Sequence, residues 1–241
     1  MKRTAAWILG VAALGVALDL PAAHADTPPL LESTFEKDAG DWEVYSPTGT
    51  VTGKMSITHE PAHIKEGKGA LQLDYSIKKG DLSALALRLP LATIARMQSL
   101  HFWVQADHAT SLLLVVSERG GARYQVPIAV TPHLWQEVAV APSDLMLNQD
   151  AGSPPDPDSK LDLDQIDSIG LVDIDSFLVQ TAGDTSPFDI SAGQHTLYVS
   201  HFVVSEAPLP TPPGAVGEVQ LTSFTRPRST GWPSETCRFR R

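Results

Sequence analysis

Two groups of residues in this sequence are of the types that bind metal ions, and their spacing decides whether they can do so. The first is His59, Glu60 and His63, an H-E-x-x-H pattern that binds zinc when both imidazoles lie on one face of a helix. The preceding residues 51–58 alternate like a strand, and Pro61 interrupts the motif. In an extended chain four residues span about 13 Å, too far for two imidazoles to share one ion. We therefore predict the end of a strand followed by a turn, and no catalytic zinc site.

The second group is a run of aspartates between positions 150 and 167. Calcium prefers such oxygen ligands, but the spacing departs from that of an EF-hand loop. Counted from Asp156, Lys160 stands at the third ligand position and no glutamate closes the loop. We predict a solvated acidic loop here.

Motifs for nucleotide binding and for acyl transfer are absent from the sequence. It contains no G-x-S-x-G elbow, no P-loop and no dinucleotide fingerprint. The one cysteine, Cys237, lies near the C-terminus, which argues against a Cys–His nucleophile. No two carboxylates stand out as the acid and base of glycoside hydrolysis. We therefore expect a protein that is not an enzyme, and a hydrolase is the less favoured alternative.

One predicted strand carries aromatic and polar side chains on a single face. Alternation along Leu-His-Phe-Trp-Val-Gln places His101, Trp103 and Gln105 together. Aromatic rings can stack on the apolar faces of sugars, while amides and charged groups bind hydroxyls. We expect Arg123 and Asp173 to join this face from neighbouring strands and to complete a ligand-binding site. The alternative is that Trp103 belongs to the core.

Short strands follow one another along most of the chain. They alternate apolar and polar residues, and Gly, Pro, Asp and Thr mark their ends. The eleven strand-like segments are 33–36, 42–45, 51–58, 70–77, 82–89, 100–106, 112–118, 124–130, 135–141, 166–174 and 196–205. No long segment has a helical period, and residues 91–98 form at most a helical turn or two. This pattern predicts an all-β antiparallel sandwich, with long loops at 148–163 and 180–194. The short loops within 99–142 predict strands that pair with their sequence neighbours.

The N-terminus has the features of a secretory signal peptide over residues 1–25. Lys2 and Arg3 precede an apolar run, and Ala23 and Ala25 form a small-x-small cleavage site. We expect cleavage near Ala25 and a protein that is secreted or periplasmic.

Three segments follow the predicted cleavage site. Residues 26–206 are expected to form the folded module, residues 207–217 a proline-rich linker, and residues 218–241 a basic, disordered tail.

Composition restricts the partners of the chain. Its 18 basic and 28 acidic residues give a net charge of −10 at pH 7. Such a charge disfavours nucleic acid and anionic lipid as partners. After the signal segment no apolar stretch has the roughly 18 residues of a transmembrane helix. A lone cysteine forms no intramolecular disulfide, so burial alone must stabilise the core. We expect a monomer.

The order of several motifs resembles the galactose-binding-domain-like jelly roll. This fold occurs in carbohydrate-binding modules and in the complex I intermediate-associated assembly-factor domain. The motifs are Phe35-Glu36 followed by Trp42, then residues 66–73, 99–104, 134–138, 161–169 and 197–202. The resemblance spans about Ser33 to Ser205. It implies a non-catalytic module that binds a glycan, or alternatively an envelope module that binds another protein without a sugar ligand.

The resemblance also implies a structural calcium ion near the N-terminal strand. The ligands in that family are a glutamate after the first phenylalanine and carbonyls of a later loop, matched here by Glu36 and by the loop from Lys65 to Gly69. The last strand departs from the family, because Ser200 and His201 stand where an acidic pair is usual. Imidazole is a poor ligand for calcium.

Overall fold

The computed structural model describes residues 28–46, 51, 53–149, 154–182 and 190–210. Within them it forms two six-stranded antiparallel sheets and one α-helix. The strands are β1 Leu31–Ser33, β2 Trp42–Tyr45, β3 Lys54–Thr58, β4 Ala70–Ile77, β5 Ala84–Arg88, β6 Ser99–Ala106, β7 Thr110–Glu118, β8 Arg123–Val130, β9 Gln136–Val140, β10 Met146–Leu147, β11 Ile166–Asp173 and β12 Gly193–Ser205. The helix α1 spans Ile174–Ala182. The predicted all-β antiparallel sandwich is confirmed.

Each sheet draws its strands from distant parts of the chain. Sheet 1 has the order β3-β4-β12-β6-β9, and β1 pairs with the second half of β12. Sheet 2 has the order β10-β8-β7-β11-β5-β2. The long strand β12 therefore lies at the centre of sheet 1, and β11 lies inside sheet 2.

The pairing of β6 to β9 differs from the expectation. Strands β7 and β8 are antiparallel neighbours, but β6 pairs with β9, and the turn after β6 crosses to the other sheet. A jelly roll alternates between its sheets in this way, so a short loop does not by itself identify the pairing partner.

Three element boundaries also differ from the prediction. The first strand ends at Ser33, because the buried Phe35 has a left-handed backbone with φ of 57°. Helix α1 replaces the end of one predicted strand and the start of a predicted loop. Its nine residues are too few to reveal a helical period. The two-residue β10 was not predicted.

Several sequence predictions concern residues outside this description. The signal segment 1–25, the tail 218–241 and Cys237 all lie there. Of the predicted linker only residues 207–210 are described. No helix among the described residues is both long enough and apolar enough to span a membrane.

The core fills the space between the sheets and follows the two-residue alternation of the strands. Phe102 on β6 and Phe202 on β12 are fully buried, and their ring centroids are 5.6 Å apart. Trp42 packs edge-on against Phe202 at 5.1 Å and against Phe35 at 6.2 Å. These aromatic rings belong to the continuous apolar cluster that joins the two sheets.

The carboxylate of Asp173 is buried between the two sheets. Asp173, at the end of β11, accepts hydrogen bonds from the Tyr75 hydroxyl at 2.5 Å, the Thr110 hydroxyl at 2.6 Å and His108 Nε2 at 2.9 Å. The backbone N–H of Asp175 donates a fourth. Burial favours the protonated acid, but the hydrogen bonds from His108, Thr110 and Tyr75 outweigh it and hold the pKa of Asp173 below its ordinary value. The group is therefore an anion that links both sheets.

Replacing this anion is expected to destabilise the fold strongly. Asp173→Asn leaves the imidazole of His108 without its buried counter-charge, and breaking such a pair costs about 3–5 kcal/mol. Tyr75→Phe removes only one hydrogen bond to the same carboxylate and should cost about 1–3 kcal/mol. Urea unfolding of both variants measures the two losses. A cost below about 1 kcal/mol for Asp173→Asn would show that the carboxylate does not link the sheets as described.

Candidate functional site

The face predicted from alternation exists on the outside of sheet 1. Along β6, Phe102 and the two apolar residues on either side of it are buried, whereas His101, Trp103 and Gln105 are half-buried on the opposite side. Trp103 is therefore an outer-face residue and not part of the core between the sheets. The orientation of these three residues follows from the sequence, and their role in binding stays a prediction.

The loop of residues 59–69 covers part of this face. Trp103 Nε1 donates a hydrogen bond to Glu66 Oε2 at 3.0 Å, and the Lys65 ammonium lies 4.8 Å from the centre of the Trp103 ring. On the next strand, the Tyr198 ring is stacked on the imidazole of His63 at 4.2 Å. Side chains of this chain therefore already contact the aromatic groups that a sugar would use.

The H-E-x-x-H residues lie in the same loop and do not form a metal-binding helix. Strand β3 ends at Thr58, and Pro61–His63 form a single 3₁₀ turn. His59 Nδ1 lies 2.9 Å from the carbonyl oxygen of Lys68, while His63 contacts Tyr198. This confirms the predicted strand end and turn.

An imidazole links the loop to the N-terminal strand. A bulge in β12 after Ser200 gives His201 a left-handed backbone with φ of 48°. His201 Nε2 lies 2.9 Å from Glu32 Oε1, and His201 Nδ1 lies 3.0 Å from Glu66 Oε1. Burial disfavours the imidazolium, but hydrogen bonds to Glu32 and Glu66 outweigh this and raise the pKa of His201. Burial favours the protonated form of Glu66, but its contacts with His201 and Trp103 outweigh this and hold its pKa below the ordinary value.

The region implied for calcium lies beside this ion pair. Glu36 is adjacent to the loop from Lys65 to Gly69, but its carboxylate lies 4.0 Å from the Lys68 ammonium. The Ser200 hydroxyl donates to the carbonyl of Glu66 at 3.0 Å and accepts from its N–H at 3.1 Å. A hydroxyl and an ammonium therefore contact oxygens that calcium would need. Calcium at this place therefore stays an implication of the resemblance alone.

An open groove lies on the outer face of sheet 2, which the sequence did not predict. Its volume is about 400 Å³. Cross-strand pairing aligns Ala86 of β5, Gly170 of β11 and Val115 of β7 across its floor, with Ala84 and Val172 forming the next row. Ala84 and Val172 belong to an apolar cluster separate from the core between the sheets. Small side chains thus leave space above a flat apolar floor.

Larger side chains line the margins of this groove. Tyr45 on β2 and Phe177 on α1 are 43% and 39% exposed. Arg88 Nε donates to Glu43 Oε1 at 2.8 Å, and its guanidinium lies 5.6 Å from the centre of the Tyr45 ring. Arg123, at the start of β8, also lines the groove. The groove therefore combines an apolar floor, exposed aromatic rings and guanidinium donors.

The five predicted binding residues are thus divided among three places. His101, Trp103 and Gln105 share the outer face of sheet 1. Arg123 lines the groove of sheet 2, and Asp173 is 3% exposed within the core. The expectation that Arg123 and Asp173 join the face of Trp103 is wrong, because their strands pair into the other sheet. The small residues of β5 and β11 were the available signal for the groove, since a strand with glycine and alanine permits close approach.

Comparison with known proteins identifies the fold. No protein-family model and no curated protein matches the sequence. Among solved structures, the chain is similar to the family 11 carbohydrate-binding module from Clostridium thermocellum, solved in complex with a β-1,3-1,4-mixed-linked tetrasaccharide. The TM-score is 0.51 at 16% identity, covering 73% of this chain and 96% of that one. The fold is a jelly roll of the carbohydrate-binding-module type.

A second similar structure is part of a larger enzyme. An exo-β-agarase matches with a TM-score of 0.50 at 16% identity, over 77% of this chain and 26% of the enzyme's chain. The jelly roll therefore also corresponds to about a quarter of a longer protein. At these identities the similarity establishes the fold.

The loop of residues 59–69 is expected to depend on Gly69. A Cβ atom at Gly69 would lie 1.9 Å from the carbonyl oxygen of Phe35, a backbone atom that cannot easily move. We expect Gly69→Ala to destabilise the protein by about 2–4 kcal/mol in urea unfolding. Gly120→Ala is the matched control, because a Cβ there meets nothing within 4 Å. Equal stabilities of the two variants would contradict the close contact.

The His201 ion pairs are expected to make stability depend on pH. Because folding raises the pKa of His201 above its ordinary 6.5, its contribution is fully present below that pH and is lost as pH rises through the folded value. The destabilisation caused by His201→Gln should therefore be larger at about pH 5.5 than at about pH 9. Urea unfolding at both pH values measures it, with His59→Gln as control. A loss that grows with pH would contradict this assignment.

Proposed function

We propose that this protein is an exported, non-catalytic module that binds a glycan chain in the groove of sheet 2. The observation that carries the proposal is the combination of a small-residue floor with exposed aromatic and guanidinium groups at its margins. Sugar rings present apolar C–H faces and polar hydroxyl edges, so a site for them needs both kinds of surface. The groove places an apolar surface and polar groups side by side.

The floor favours an extended ligand. Ala86, Gly170 and Val115 come from three adjacent strands, so the low part of the surface crosses the sheet. A chain of several sugar units can lie along such a path while its hydroxyls reach the margins. Tyr45 at one margin offers a ring for stacking, with its neighbour Arg88 already oriented by Glu43.

The fold supports the same proposal. The similar family 11 module was solved with a bound tetrasaccharide, and the similar agarase bears the name of a polysaccharide-degrading enzyme. Both are distant in sequence, so the ligand class is proposed from the groove together with this likeness. The predicted signal peptide supports export to a compartment where polysaccharides occur.

The face of Trp103 is the second candidate site. Trp103, Tyr198 and Gln105 lie together there, as a sugar site requires, and this was the surface expected from the sequence. Lys65, Glu66 and His63 contact these aromatic groups, so a sugar would have to displace them. In the groove of sheet 2 the comparable contact is that of Arg88 with Tyr45, but the small-residue floor leaves a volume of about 400 Å³ beside it, and we favour the groove for that reason.

Two substitutions in the groove are expected to weaken glycan binding. Tyr45→Ala removes a stacking surface and should weaken binding about tenfold, or roughly 1.4 kcal/mol. Gly170→Leu fills the groove from its floor and should abolish binding. A Cβ at Gly170 meets only ordinary contacts, the nearest at 3.5 Å, so the fold should tolerate the change. Isothermal titration against mixed-linked β-glucan, agarose oligosaccharides and acidic polysaccharides measures the effect.

Trp103→Ala serves as the matched control on the opposite sheet. We expect it to leave the affinity for the best ligand of the panel unchanged. If Trp103→Ala abolishes binding and Gly170→Leu does not, the site lies on sheet 1 and the groove proposal is wrong. If no polysaccharide binds and one protein partner is captured in stoichiometric amount, the module is an envelope assembly factor.

A further inference from the structure

A cluster of imidazole and carboxylate groups lies where β6 turns into β7 and β12 begins. We name Asp107, His108 and His195 the His–Asp cluster. One ligand atom from each of the three lies within 4.8 Å of the others. The two imidazole rings are close, with centroids 3.9 Å apart. Neither the groove nor the Trp103 face uses these residues.

Both imidazoles present the same ring atom to one carboxylate oxygen. His108 Nδ1 lies 2.9 Å from Asp107 Oδ1, and His195 Nδ1 lies 3.1 Å from the same oxygen. Two nitrogens and one oxygen thus converge on a single point. The three residues come from two elements that are far apart in the chain, so this arrangement is a product of the tertiary fold.

The remaining ring nitrogens are held by a second set of groups. His108 Nε2 lies 2.9 Å from the carboxylate of Asp173, and His195 Nε2 lies 2.8 Å from the carbonyl oxygen of Ser191. A carbonyl oxygen and an ionised carboxylate can only accept, so each Nε2 carries a proton. Metal-binding histidines characteristically donate their second N–H to a carboxylate or a carbonyl in this way, which fixes the ring and its tautomer.

Both Nδ1 atoms contact a carboxylate oxygen, which can only accept, so a proton or a cation must lie between each of them and that oxygen. In a neutral imidazole with a proton on Nε2, Nδ1 is an acceptor. A divalent ion that displaces the Nδ1 protons therefore meets two such acceptor lone pairs together with the Asp107 oxygen. A metal ion satisfies all three groups at once.

The donor set selects the kind of ion. Two nitrogens and one carboxylate oxygen suit zinc and similar divalent transition metals, whereas calcium and magnesium prefer oxygen ligands alone. Ligand distances of about 2.0–2.1 Å in a tetrahedral site need donor atoms about 3.3 Å apart. The two nitrogen–oxygen separations of 2.9 and 3.1 Å need to lengthen by only a few tenths of an ångström, and ligand atoms of all three residues already lie within 4.8 Å of one another.

The cluster is also accessible from solvent. The side chains of Asp107, His195 and His108 are 34%, 12% and 8% exposed, so an ion can enter past Asp107. A deeper group formed by His108, Asp173 and Asp175 also has ligand atoms within 4.8 Å. An ion there would displace hydrogen bonds that the buried Asp173 carboxylate accepts, which favours the outer group.

We propose that His108 Nδ1, His195 Nδ1 and Asp107 form a binding site for a divalent transition-metal ion, with zinc as the test ion. Asp173 and Ser191 act as positioning groups that orient the two rings. Three protein ligands leave a fourth position to water or to another donor. The site is independent of the glycan groove, so neither proposal depends on the other.

Isothermal titration of the chelator-treated protein with zinc chloride tests this site. We expect one zinc ion per chain and a rise in Tm with zinc concentration. His195→Gln and His108→Gln delete Nδ1 but keep a donor near the position of Nε2, so the contacts to Ser191 and Asp173 can persist. Loss of an outer-shell partner alone weakens metal binding by up to about 100-fold. Each of these variants loses a direct ligand, so each should weaken zinc binding by about 100-fold or more. Asp107→Asn, at the most exposed position, should also weaken it.

Two controls separate this site from other zinc ligands of the chain. A variant carrying His59→Gln and His63→Gln removes the H-E-x-x-H imidazoles, and Cys237→Ser removes the thiol. Both should bind zinc like the wild type. Circular dichroism of each variant without metal shows whether it is folded. If His108→Gln, at a buried position, does not fold, Asp107→Asn provides the test. The proposal is overturned if the wild type binds no zinc, if folded His195→Gln or Asp107→Asn binds it normally, or if either control loses it.

Discussion

The buried anion of Asp173 is the interaction on which the arrangement of this molecule depends. It lies at the end of β11 in sheet 2 and accepts a hydrogen bond from Tyr75 in sheet 1, so one carboxylate joins the two layers. It also orients His108 in the turn that carries the chain from one sheet to the other. Contacts between apolar side chains are non-directional and leave the geometry at this edge less defined. A charge with four directional partners fixes the register at the edge where the His–Asp cluster forms.

The two outer faces of the sandwich have different surroundings, although both arise from the same alternation. On sheet 1, the loop of residues 59–69 contacts the aromatic side chains and is tied down by Ser200 and His201. On sheet 2, the outward positions of β5 and β11, apart from Arg88 at the end of β5, are alanine, glycine, serine and valine, so the surface is low and open. Side-chain size on the outward positions, together with one loop, therefore decides which face can accept a ligand.

Features that are decided by residues close together in the chain could be predicted from the sequence. The two-residue period of β6 correctly placed His101, Trp103 and Gln105 on one side, and Pro61 correctly argued against a zinc helix. Features that depend on pairing between distant strands, such as the sheet to which a residue belongs, could not be predicted in this way. Arg123 and Asp173 were assigned to the wrong face because sheet membership is decided by such pairing. His195 lies 88 residues from Asp107, so their meeting leaves no local signal.

Mapping the ligand-binding site on the protein by NMR is the most direct test of the proposed glycan site. Backbone amide shifts are followed while an oligosaccharide from the titration panel is added to the protein. The groove predicts that the perturbed amides cluster on β5, β7 and β11, around Ala86, Val115 and Gly170, and that Tyr45 is affected at the margin. Perturbations confined to β6, β12 and the loop of residues 59–69 would contradict it, since they would place the ligand on Trp103.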